Sequence, residues 1–366
     1  MKVTAALLRE PGTDLVLEEV ELDDPGPGEV LVRMVAVGIC HTDVAAQEGV
    51  IPVPYPTVLG HEGSGVIEAV GEGVDTLAPG DRVALSFDHC GDCPSCSGGH
   101  PAYCEVFGAL NYFGSRMDGT TTMKQGDEEV YGNWFGQSSF STYAIASVHN
   151  AVKVPDDAPL ELVGPLGCGL QTGAGSVLNV LRPNAGEGIA VFGCGGVGLA
   201  AVMAAKAVGC EPIVAIDLNP ARLALATELG ATHTFNPAEH HDLVWDIMQI
   251  SAPGLHCSFD AVGTGAVIRQ ALEVLRSPGA CASVGFQGLE NDISIDQGHL
   301  LLGRTLYGVI ECDAVPSEFI PRLLDLHREG KFPFEKLVKT FRFDQINEAI
   351  AASNSGDVVK PILLFD

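Results

Sequence analysis

One stretch decides how the second half of the chain folds: Gly188-Ile189-Ala190-Val191-Phe192-Gly193-Cys194-Gly195-Gly196-Val197-Gly198. Its first five residues are typical of a buried strand, the glycine-rich turn follows, and residues 199–208 have the composition of a buried helix. A second strand-like run, 212–216, ends at Asp217. A G-x-G-x-x-G turn between a strand and a helix, with an acid after the next strand, predicts a dinucleotide-binding unit.

The glycines of this turn have separate tasks. Gly193 permits the turn, Gly195 lets a pyrophosphate approach the backbone, and Gly198 lets the helix pack closely on the strand. The pyrophosphate then rests on the helix N-terminus. We expect Asp217 to accept hydrogen bonds from the adenosine ribose, and because no basic cluster follows it, NAD is favoured over NADP. The predicted cofactor contacts here are Gly193, Gly195, Gly196, Val197, Gly198 and Asp217.

Strands and helices continue to alternate after this unit. Four more strand-like runs are predicted at 232–235, 258–262, 280–285 and 305–310. Helical patterns separate them, around 221–229, 242–250, 266–276 and 319–328. Six strands are enough for a doubly wound parallel sheet, which we assign to residues 161–308.

The first 160 residues have a different character. Short β-rich runs alternate with Gly/Pro turns, which predicts a barrel-like β fold whose loops carry chemistry. The last stretch, 339–365, is β-like, and we expect residues 309–366 to return to this first domain.

Two segments of the first domain carry metal-type residues: Cys40-His41-Thr42-Asp43 and Gly60-His61-Glu62. A thiolate and an imidazole are ligands that zinc prefers. Either residue alone would more often be a buried free cysteine or a core histidine, but the spaced pattern with its glycines favours a metal site. Cys168 opens a predicted helix, where a thiol is acidified, and beside Cys40 and His61 it is the expected third ligand.

A second cysteine cluster lies within the predicted lobe 88–106. Its spacing is Cys90-x2-Cys93-x2-Cys96-x7-Cys104. Four thiolates at this spacing predict a closed, structural zinc site, because no position stays open for a substrate. The alternatives are unrelated loop cysteines or an iron–sulfur cluster, which usually has a different spacing and a trailing proline.

Charge and composition exclude several classes of protein. The net charge of −27 repels phosphate backbones, so no nucleic-acid partner is expected. No apolar run predicts a membrane span, and the N-terminus lacks a secretory signal, so the expected location is the cytoplasm. The eleven cysteines form an odd set in a long chain, which favours metal sites over a disulfide framework.

An aromatic pair, Trp134-Phe135, lies in the polar excursion after the cysteine lobe. Ordinary core packing is one interpretation of the pair. The functional interpretation is the wall of an apolar substrate pocket.

Together these motifs resemble the zinc-dependent medium-chain alcohol dehydrogenases over essentially the whole chain. The match is carried by 38–43, 60–62, the four-cysteine lobe, 166–173 and 193–198. Within the family, 140–143, the long polar loop before them and 168–173 are most like the aryl-alcohol (benzyl alcohol) dehydrogenases. The resemblance implies a GroES-like β-barrel catalytic domain, a Rossmann coenzyme domain, NAD, two zinc ions per chain and a homodimer or homotetramer.

The resemblance also implies roles for individual residues. Cys40, His61 and Cys168 would bind a catalytic zinc, with Glu62 behind it as a transient ligand and Asp43 orienting His61. Thr42 would take the alcohol proton. The remaining assignments are cofactor contacts at His41, Thr172, Val197, Arg222 and Lys360, and a substrate pocket at Ile51, Trp134 and Phe135.

Two positions depart from the family pattern. Ala45 stands where many members have the histidine that ends the proton relay, so the proton must leave through water or another group. His41 stands where a stronger base often contacts the pyrophosphate, which makes that contact weaker or pH-dependent.

The leading hypothesis is an NAD-dependent dehydrogenase of aromatic or allylic primary alcohols. The alternative enzyme is a thiol-adduct formaldehyde dehydrogenase, against which the acidic loop 127–129 argues mildly. A zinc-free quinone reductase relative or a binding protein on the same fold would not need Cys40, His61 and Cys168 together.

Overall fold

A computed structural model describes residues 1–288 and 290–365. The chain forms two compact units. The first unit contains Met1–Cys168, Val315–Pro321 and Glu335–Asp366, and the second contains Gly169–Ala314 and Arg322–Phe334. The changeover at residue 168 leaves Cys168 with the β-rich unit, eight residues later than the boundary predicted from the sequence.

The strands are β1 Lys2–Leu8, β2 Val16–Leu22, β3 Glu29–Gly38, β4 Thr57–Val58, β5 Glu62–Val70, β6 Arg82–Leu85, β7 Met123–Gln125, β8 Glu128–Val130, β9 Tyr143–Ser147, β10 Ala151–Lys153, β11 Ile189–Phe192, β12 Ile213–Ile216, β13 His233–Phe235, β14 Leu255–Asp260, β15 Leu275–Ser283, β16 Arg304–Gly308, β17 Val338–Arg342 and β18 Lys360–Leu364. The α-helices are α1 His41–Gln47, α2 Pro94–Ser97, α3 Phe107–Tyr112, α4 Gly169–Gly175, α5 Gly196–Val208, α6 Pro220–Leu229, α7 Leu243–Ser251, α8 Gly265–Glu273, α9 Gln297–Leu301, α10 Pro316–Arg328 and α11 Ile346–Asn354. Short 3-10 helices are Pro101–Tyr103, Trp134–Gly136, Gly164–Gly167, Pro237–Glu239, Glu311–Asp313, Phe334–Leu337 and Phe343–Gln345, and Ser176–Leu181 is a π-helix.

The first unit is built from two mainly antiparallel sheets. One sheet has the order β4-β1-β2-β7-β8, and the other has the order β10-β6-β5-β3-β18-β17 with β9 also paired to β3. The second sheet encloses a core of β-branched and aliphatic side chains that includes Val30, Val32, Ile67 and Val83. This architecture confirms the predicted GroES-like barrel, whose connecting loops carry the candidate ligands.

The second unit contains a parallel sheet of six strands in the order β13-β12-β11-β14-β15-β16. The first strand of the unit, β11, lies in the middle, with β12 on one side and β14 on the other. The apolar residues of β11 and β12 are fully buried beneath the flanking helices, because parallel strands are covered on both faces. The predicted doubly wound fold is confirmed.

Two segments differ from their predictions. The predicted helix 266–276 ends at Glu273, and β15 begins two residues later, through Arg276-Ser277-Pro278-Gly279. These residues are weak strand formers, and they lie at an irregularity in the pairing of β15 with β14, which resumes at Ala280. Of the four, Gly279 pairs with Arg304 of β16. In the C-terminal stretch β18 pairs with β3, but α11 interrupts the run predicted as β-like.

Within the described part of the chain, no helix has both the length and the apolar character that crossing a membrane requires.

Candidate active site and its metal centres

Three donor side chains of the first unit converge from distant positions. Cys40 immediately precedes α1, His61 precedes β5, and Cys168 follows the 3-10 helix Gly164–Gly167. Cys40 Sγ lies 4.0 Å from Cys168 Sγ, and His61 Nε2 lies 3.2 Å from the Cys168 sulfur. All three donor atoms lie within 4.8 Å of one another.

These distances fit one tetrahedral zinc ion. With Zn–S near 2.3 Å and Zn–N near 2.0–2.1 Å, tetrahedral geometry places two sulfurs about 3.8 Å apart and a sulfur and a nitrogen about 3.6 Å apart. The observed separations of 4.0 and 3.2 Å differ from these by only a few tenths of an ångström. Three protein ligands leave a fourth position for a substrate oxygen, which is the arrangement of catalytic zinc sites.

Asp43 fixes the geometry of this donor set. Its Oδ1 accepts from Gly60 N at 3.1 Å and lies 2.7 Å from His61 Nδ1, while Oδ2 accepts from Cys40 N at 3.2 Å. A proton on His61 Nδ1 that is shared with a carboxylate leaves Nε2 unprotonated for a metal. Gly60 has φ +89°, and a Cβ there would come within 2.6 Å of Phe140 N, so glycine is required for this loop to deliver His61.

The charged groups around the donor set shift the pKa values of His61 and Cys40 in opposite directions. Burial opposes a charge on His61, but the Asp43 carboxylate and Cys40 outweigh it and hold the pKa of His61 well above its ordinary value. A hydrogen bond from the Cys168 thiol holds the pKa of Cys40 well below its ordinary value despite burial. The thiolate form of Cys40, which is the form that binds metal, is therefore favoured.

The structure places the predicted pocket residues Trp134 and Phe135 differently. Trp134 is fully buried, and its indole Nε1 donates to Asp43 Oδ1 at 3.0 Å. Phe135, with φ 51°, stacks on the His61 ring at a centroid distance of 4.3 Å. The buried Trp134 N–H thus finds its partner in Asp43, and Phe135 packs against the His61 ring, so the two rings support His61 and its carboxylate. Ile51, the third predicted pocket residue, is half-buried.

Sequence reasoning missed Gln137. Its buried amide donates to the His61 carbonyl at 3.0 Å and to the Ser86 carbonyl at 2.9 Å, and its Oε1 accepts from Gly63 N. The amide thus pins the backbone on both sides of Glu62. Glutamine is common in loops, so no local pattern distinguishes this one.

Glu62 and Lys360 form a buried ion pair. The Lys360 ammonium lies 2.9 Å from both Glu62 carboxylate oxygens and also donates to the Ile39 carbonyl. Burial raises the pKa of Glu62, and Lys360 opposes that shift. The sequence assigned Lys360 to the cofactor phosphates and Glu62 to the metal, but the structure pairs the two with each other, and Glu62 lies outside the three-donor cluster. The lysine comes from β18, almost 300 residues away, so only the fold reveals this pairing.

The remaining predicted residues of the first unit lie on α1. The Thr42 hydroxyl is 3.7 Å from Cys40 Sγ, beside the donor set. His41 is exposed at the start of the helix, and Ala45 is buried.

The four lobe cysteines form the second donor cluster. Their sulfurs lie within 4.8 Å of one another, with Cys90 Sγ 3.9 Å from Cys96 Sγ. Backbone N–H groups of residues in the lobe donate to the sulfurs of Cys104, Cys90 and Cys93. Hydrogen bonds from the Glu105 and Cys96 backbones lower the pKa of Cys93 to about 6. Four sulfurs that close on one another fit a structural zinc ion.

The second unit carries the glycine-rich turn. It lies between the buried strand β11 and the thirteen-residue helix α5. A Cβ on Gly198 would come within 1.7 Å of Gly193 O, so the close contact between helix and turn requires glycine. A Cβ on Gly195 would meet nothing within 4 Å, which leaves the backbone there open to a ligand. The half-buried N-terminus of α5 has the backbone N–H groups that an anion would need.

Two polar groups stand beside this turn. Asp217 is anchored by the backbone, because its carboxylate accepts from Cys194 N at 2.7 Å and from Asn219 N at 2.8 Å. Arg222, on α6, has a buried Nε without a hydrogen-bond partner in the described residues. On α4 of the same unit, the Thr172 hydroxyl lies 3.3 Å from a Glu311 carboxylate oxygen, a contact that the sequence did not indicate.

Comparisons with known proteins agree with both folds. Residues 26–156 match the alcohol dehydrogenase GroES-like domain, and residues 196–328 match the zinc-binding dehydrogenase family. The geraniol dehydrogenase of Castellaniella defragrans is 48% identical over 363 residues, 99% of this chain and 97% of that protein. The crystal structure of benzyl alcohol dehydrogenase from Acinetobacter calcoaceticus superposes with a TM-score of 0.96 at 41% identity, covering 100% of both chains. An alcohol dehydrogenase of E. coli in complex with NADH is 25% identical with a TM-score of 0.81, covering 100% of this chain and 99% of that one.

A GroES-like barrel, a doubly wound sheet and an open donor set define a zinc-dependent oxidoreductase that acts on alcohols. The chain belongs to the medium-chain zinc-dependent alcohol dehydrogenases. The resemblance to the aryl-alcohol group, which the sequence motifs indicated, is confirmed by these relatives.

Proposed function

We propose that this enzyme interconverts aromatic or allylic primary alcohols and their aldehydes, with NAD as the hydride acceptor. The observation that carries the proposal is the open set of Cys40, His61 and Cys168, with Asp43 holding the imidazole. A zinc ion bound there supplies a Lewis acid that polarises the alcohol oxygen and eases loss of its proton.

The residues of this chain then have distinct tasks. Asp43 and Trp134 fix the orientation of His61, and Phe135 covers the face of its ring. Thr42, whose hydroxyl lies 3.7 Å from Cys40 Sγ, would accept the hydroxyl proton of the alcohol. Because Ala45 has no titratable group, the proton leaves the site through water or another side chain.

The preference for NAD rests on Asp217. Its anchored carboxylate suits the ribose hydroxyls of NAD and would repel the 2′-phosphate of NADP. The E. coli relative was crystallised with NADH, which is consistent with a nicotinamide cofactor here. We propose that Arg222, Thr172, Val197 and the backbone of the glycine turn complete this site.

The substrate class rests on the relatives, one named for an allylic alcohol and one for an aromatic alcohol. The test is a panel of benzyl, cinnamyl, geranyl, ethyl and S-hydroxymethyl-thiol alcohols, each with NAD and with NADP. We expect kcat/KM for benzyl, cinnamyl and geranyl alcohols to exceed that for ethanol by at least about 100-fold, roughly 3 kcal/mol of added apolar burial. A preference for the thiol adduct would establish the alternative formaldehyde dehydrogenase instead.

We also propose two zinc ions per chain and assembly into a homodimer or homotetramer. The edge strand β16 and its flank expose large apolar side chains, with Leu301 76%, Leu302 62% and Tyr307 43% accessible. An unpaired sheet edge with apolar neighbours suits a second copy of the chain. Zinc analysis and light scattering of the wild type and of Leu301→Glu test both statements, and a monomeric wild type would contradict the second.

A further inference from the structure

A cavity of about 520 Å³ opens in the second unit, away from the glycine turn. Its walls come from the amino-terminal ends of β14, β15 and β16 and from the residues just before β11. The glycine turn follows the carboxyl end of β11, so the two lie at opposite edges of the same sheet. Cofactors of such sheets bind at the carboxyl edge, so this cavity needs another explanation.

In the cavity wall, the hydrogen-bond donors around His256 outnumber the acceptors that its ring can provide. Gly188 N donates to His256 Nδ1 at 3.1 Å, and Arg276 Nη1 lies 2.8 Å from His256 Nε2. A neutral imidazole has one lone pair and one N–H, whereas both of its nitrogens here face an N–H donor. In either tautomer, one contact brings two donors together without an acceptor between them.

The hydrogen bond from Gly188 N–H to His256 Nδ1 is the fixed contact, because the start of β11 sets the position of this N–H. His256 Nε2 then carries the proton and points, like the Arg276 guanidinium, at the same small volume. An acceptor beside this contact, within hydrogen-bond reach of both nitrogens, would satisfy both donors. On the neighbouring strand β16, Arg304 donates through Nε and Nη2 to the Leu275 carbonyl, and its buried Nη1 has no partner within the described chain.

We propose that Arg276 and His256 form a binding site for the oxyanion group of a small molecule, a carboxylate or a phosphate. Two N–H donors, one of them permanently charged, match the oxygens of such a group. The volume of the cavity exceeds that of a bare phosphate, so the site has room for an organic anion that carries such a group.

The negative charge of Glu187 allows a test of whether the bound ligand is an anion. It lines the same cavity, and the Asn184 backbone donates to it, which lowers the pKa of Glu187, with smaller contributions from His256 and Arg276. Its carboxylate is therefore charged at neutral pH and repels an anion bound by the other two residues. Removing that charge tightens anion binding, whereas a purely structural role for the cluster predicts no such gain.

The experiment is isothermal titration calorimetry of the zinc-loaded enzyme with phosphate and with acetate at constant ionic strength, with and without saturating NADH. NADH occupies the α5 N-terminus, where phosphate could also bind. The net charge of −27 keeps nonspecific anion binding weak. We expect saturable binding that NADH does not abolish, and a relative strength of phosphate and acetate that identifies the oxyanion.

Arg276→Gln should weaken this binding about 10- to 100-fold, since it removes a charged hydrogen bond. Glu187→Gln should tighten it about 2- to 5-fold. Arg269→Gln is the matched control, because Arg269 is exposed on α8 and pairs with Glu273, and it should leave binding unchanged. If Arg276→Gln does not fold, Arg276→Lys keeps the charge without the planar fork and should weaken binding about fivefold.

Binding that Arg276→Gln leaves intact, that Arg269→Gln weakens equally, or that is displaced by NADH overturns the proposal. So does a Glu187→Gln variant that binds the anion less tightly than the wild type.

Discussion

The two donor clusters of the first unit differ in how their ligands are held. The four cysteines of the lobe come from fifteen consecutive residues, and backbone N–H groups surround their sulfurs. The three donors of the open site come from positions as far as 128 residues apart, and buried side chains hold them. The lobe cluster is mostly half-exposed, whereas His61 and Cys168 are buried.

This difference matches the distinction between structural and catalytic metal sites. A local loop needs only its own backbone to close a complete sulfur cage, so a metal held there would stabilise the fold. An open site must hold three ligands rigidly and still leave one position free, which requires support from distant residues. If the clusters differ in this way, substitutions in the open site should reduce catalysis most, and substitutions in the lobe should mainly reduce stability.

Replacing Cys40 by Ser should have the largest effect. It removes one sulfur from the open set, and loss of a Lewis acid worth several kcal/mol should lower kcat/KM by about 10³-fold or more. Zinc content should fall from about two to about one per chain, measured by mass spectrometry of the metal. Cys281→Ser, at a buried thiol outside both clusters, should keep both zinc and activity. Retention of both zinc ions by Cys40→Ser would contradict the assignment of the open site.

Asp43→Asn should lower kcat/KM by about 10- to 100-fold, the usual effect of losing a carboxylate behind a metal-bound histidine. The amide cannot supply the negative charge that orients and supports His61. The zinc dissociation constant of the open site, measured by chelator competition, should rise in parallel. Asp118→Asn in a surface turn serves as the control, and equal losses in both variants would show a general effect of removing charge.

Trp134→Phe should lower kcat/KM by about 3- to 10-fold, because it removes one hydrogen bond to the Asp43 carboxylate and keeps most of the packing. The free energy of unfolding should change little beyond the loss of that bond. Trp245→Phe is a matched control, since Trp245 is 63% exposed on α7. A change in substrate preference without a change in zinc affinity would instead place Trp134 in the substrate pocket.

Cys93→Ser should have the smallest effect on catalysis and a large one on stability. With one sulfur removed from the closed cage, the melting temperature should fall by roughly 5–10 °C. The kcat of the folded fraction should stay within about threefold of the wild type, because the open site keeps its own supports. Proteolysis confined to residues 88–106 would show local unfolding of the lobe, and Cys210→Ser controls for loss of a buried thiol. A fall in kcat equal to that of Cys40→Ser would show that the two clusters act together.

Local sequence patterns predicted the features that depend on neighbouring residues, such as secondary structure and the cysteine lobe. The doubly wound parallel sheet followed from the alternation of strands and helices, and the lobe followed from cysteine spacing alone. The segment Arg276-Ser277-Pro278-Gly279 was not recognised as strand, because its own propensities are poor and it lies at an irregularity in the pairing with β14, with Gly279 alone of the four paired to β16.

The surroundings of the open site could not be predicted in the same way. The sequence named Trp134, Phe135 and Lys360 as residues of interest but gave them other partners, and it did not single out Gln137 or Glu311. Each of these contacts joins residues of separate segments, and for Glu62 and Lys360 the separation is 298 positions. No periodicity or motif encodes a contact at that range.

By itself the sequence determined the family, the two folds and the ligand types, because spacing, glycine positions and residue chemistry act over a few neighbouring residues. Only the tertiary structure decided which buried groups satisfy one another. In the folded chain Asp43 accepts from the Trp134 indole, and Glu62 pairs with the Lys360 ammonium. The donors of Arg276 and His256 face each other. The physical reason is that a buried polar group must find a partner wherever the folded chain brings one, and that position is set by packing rather than by distance along the sequence.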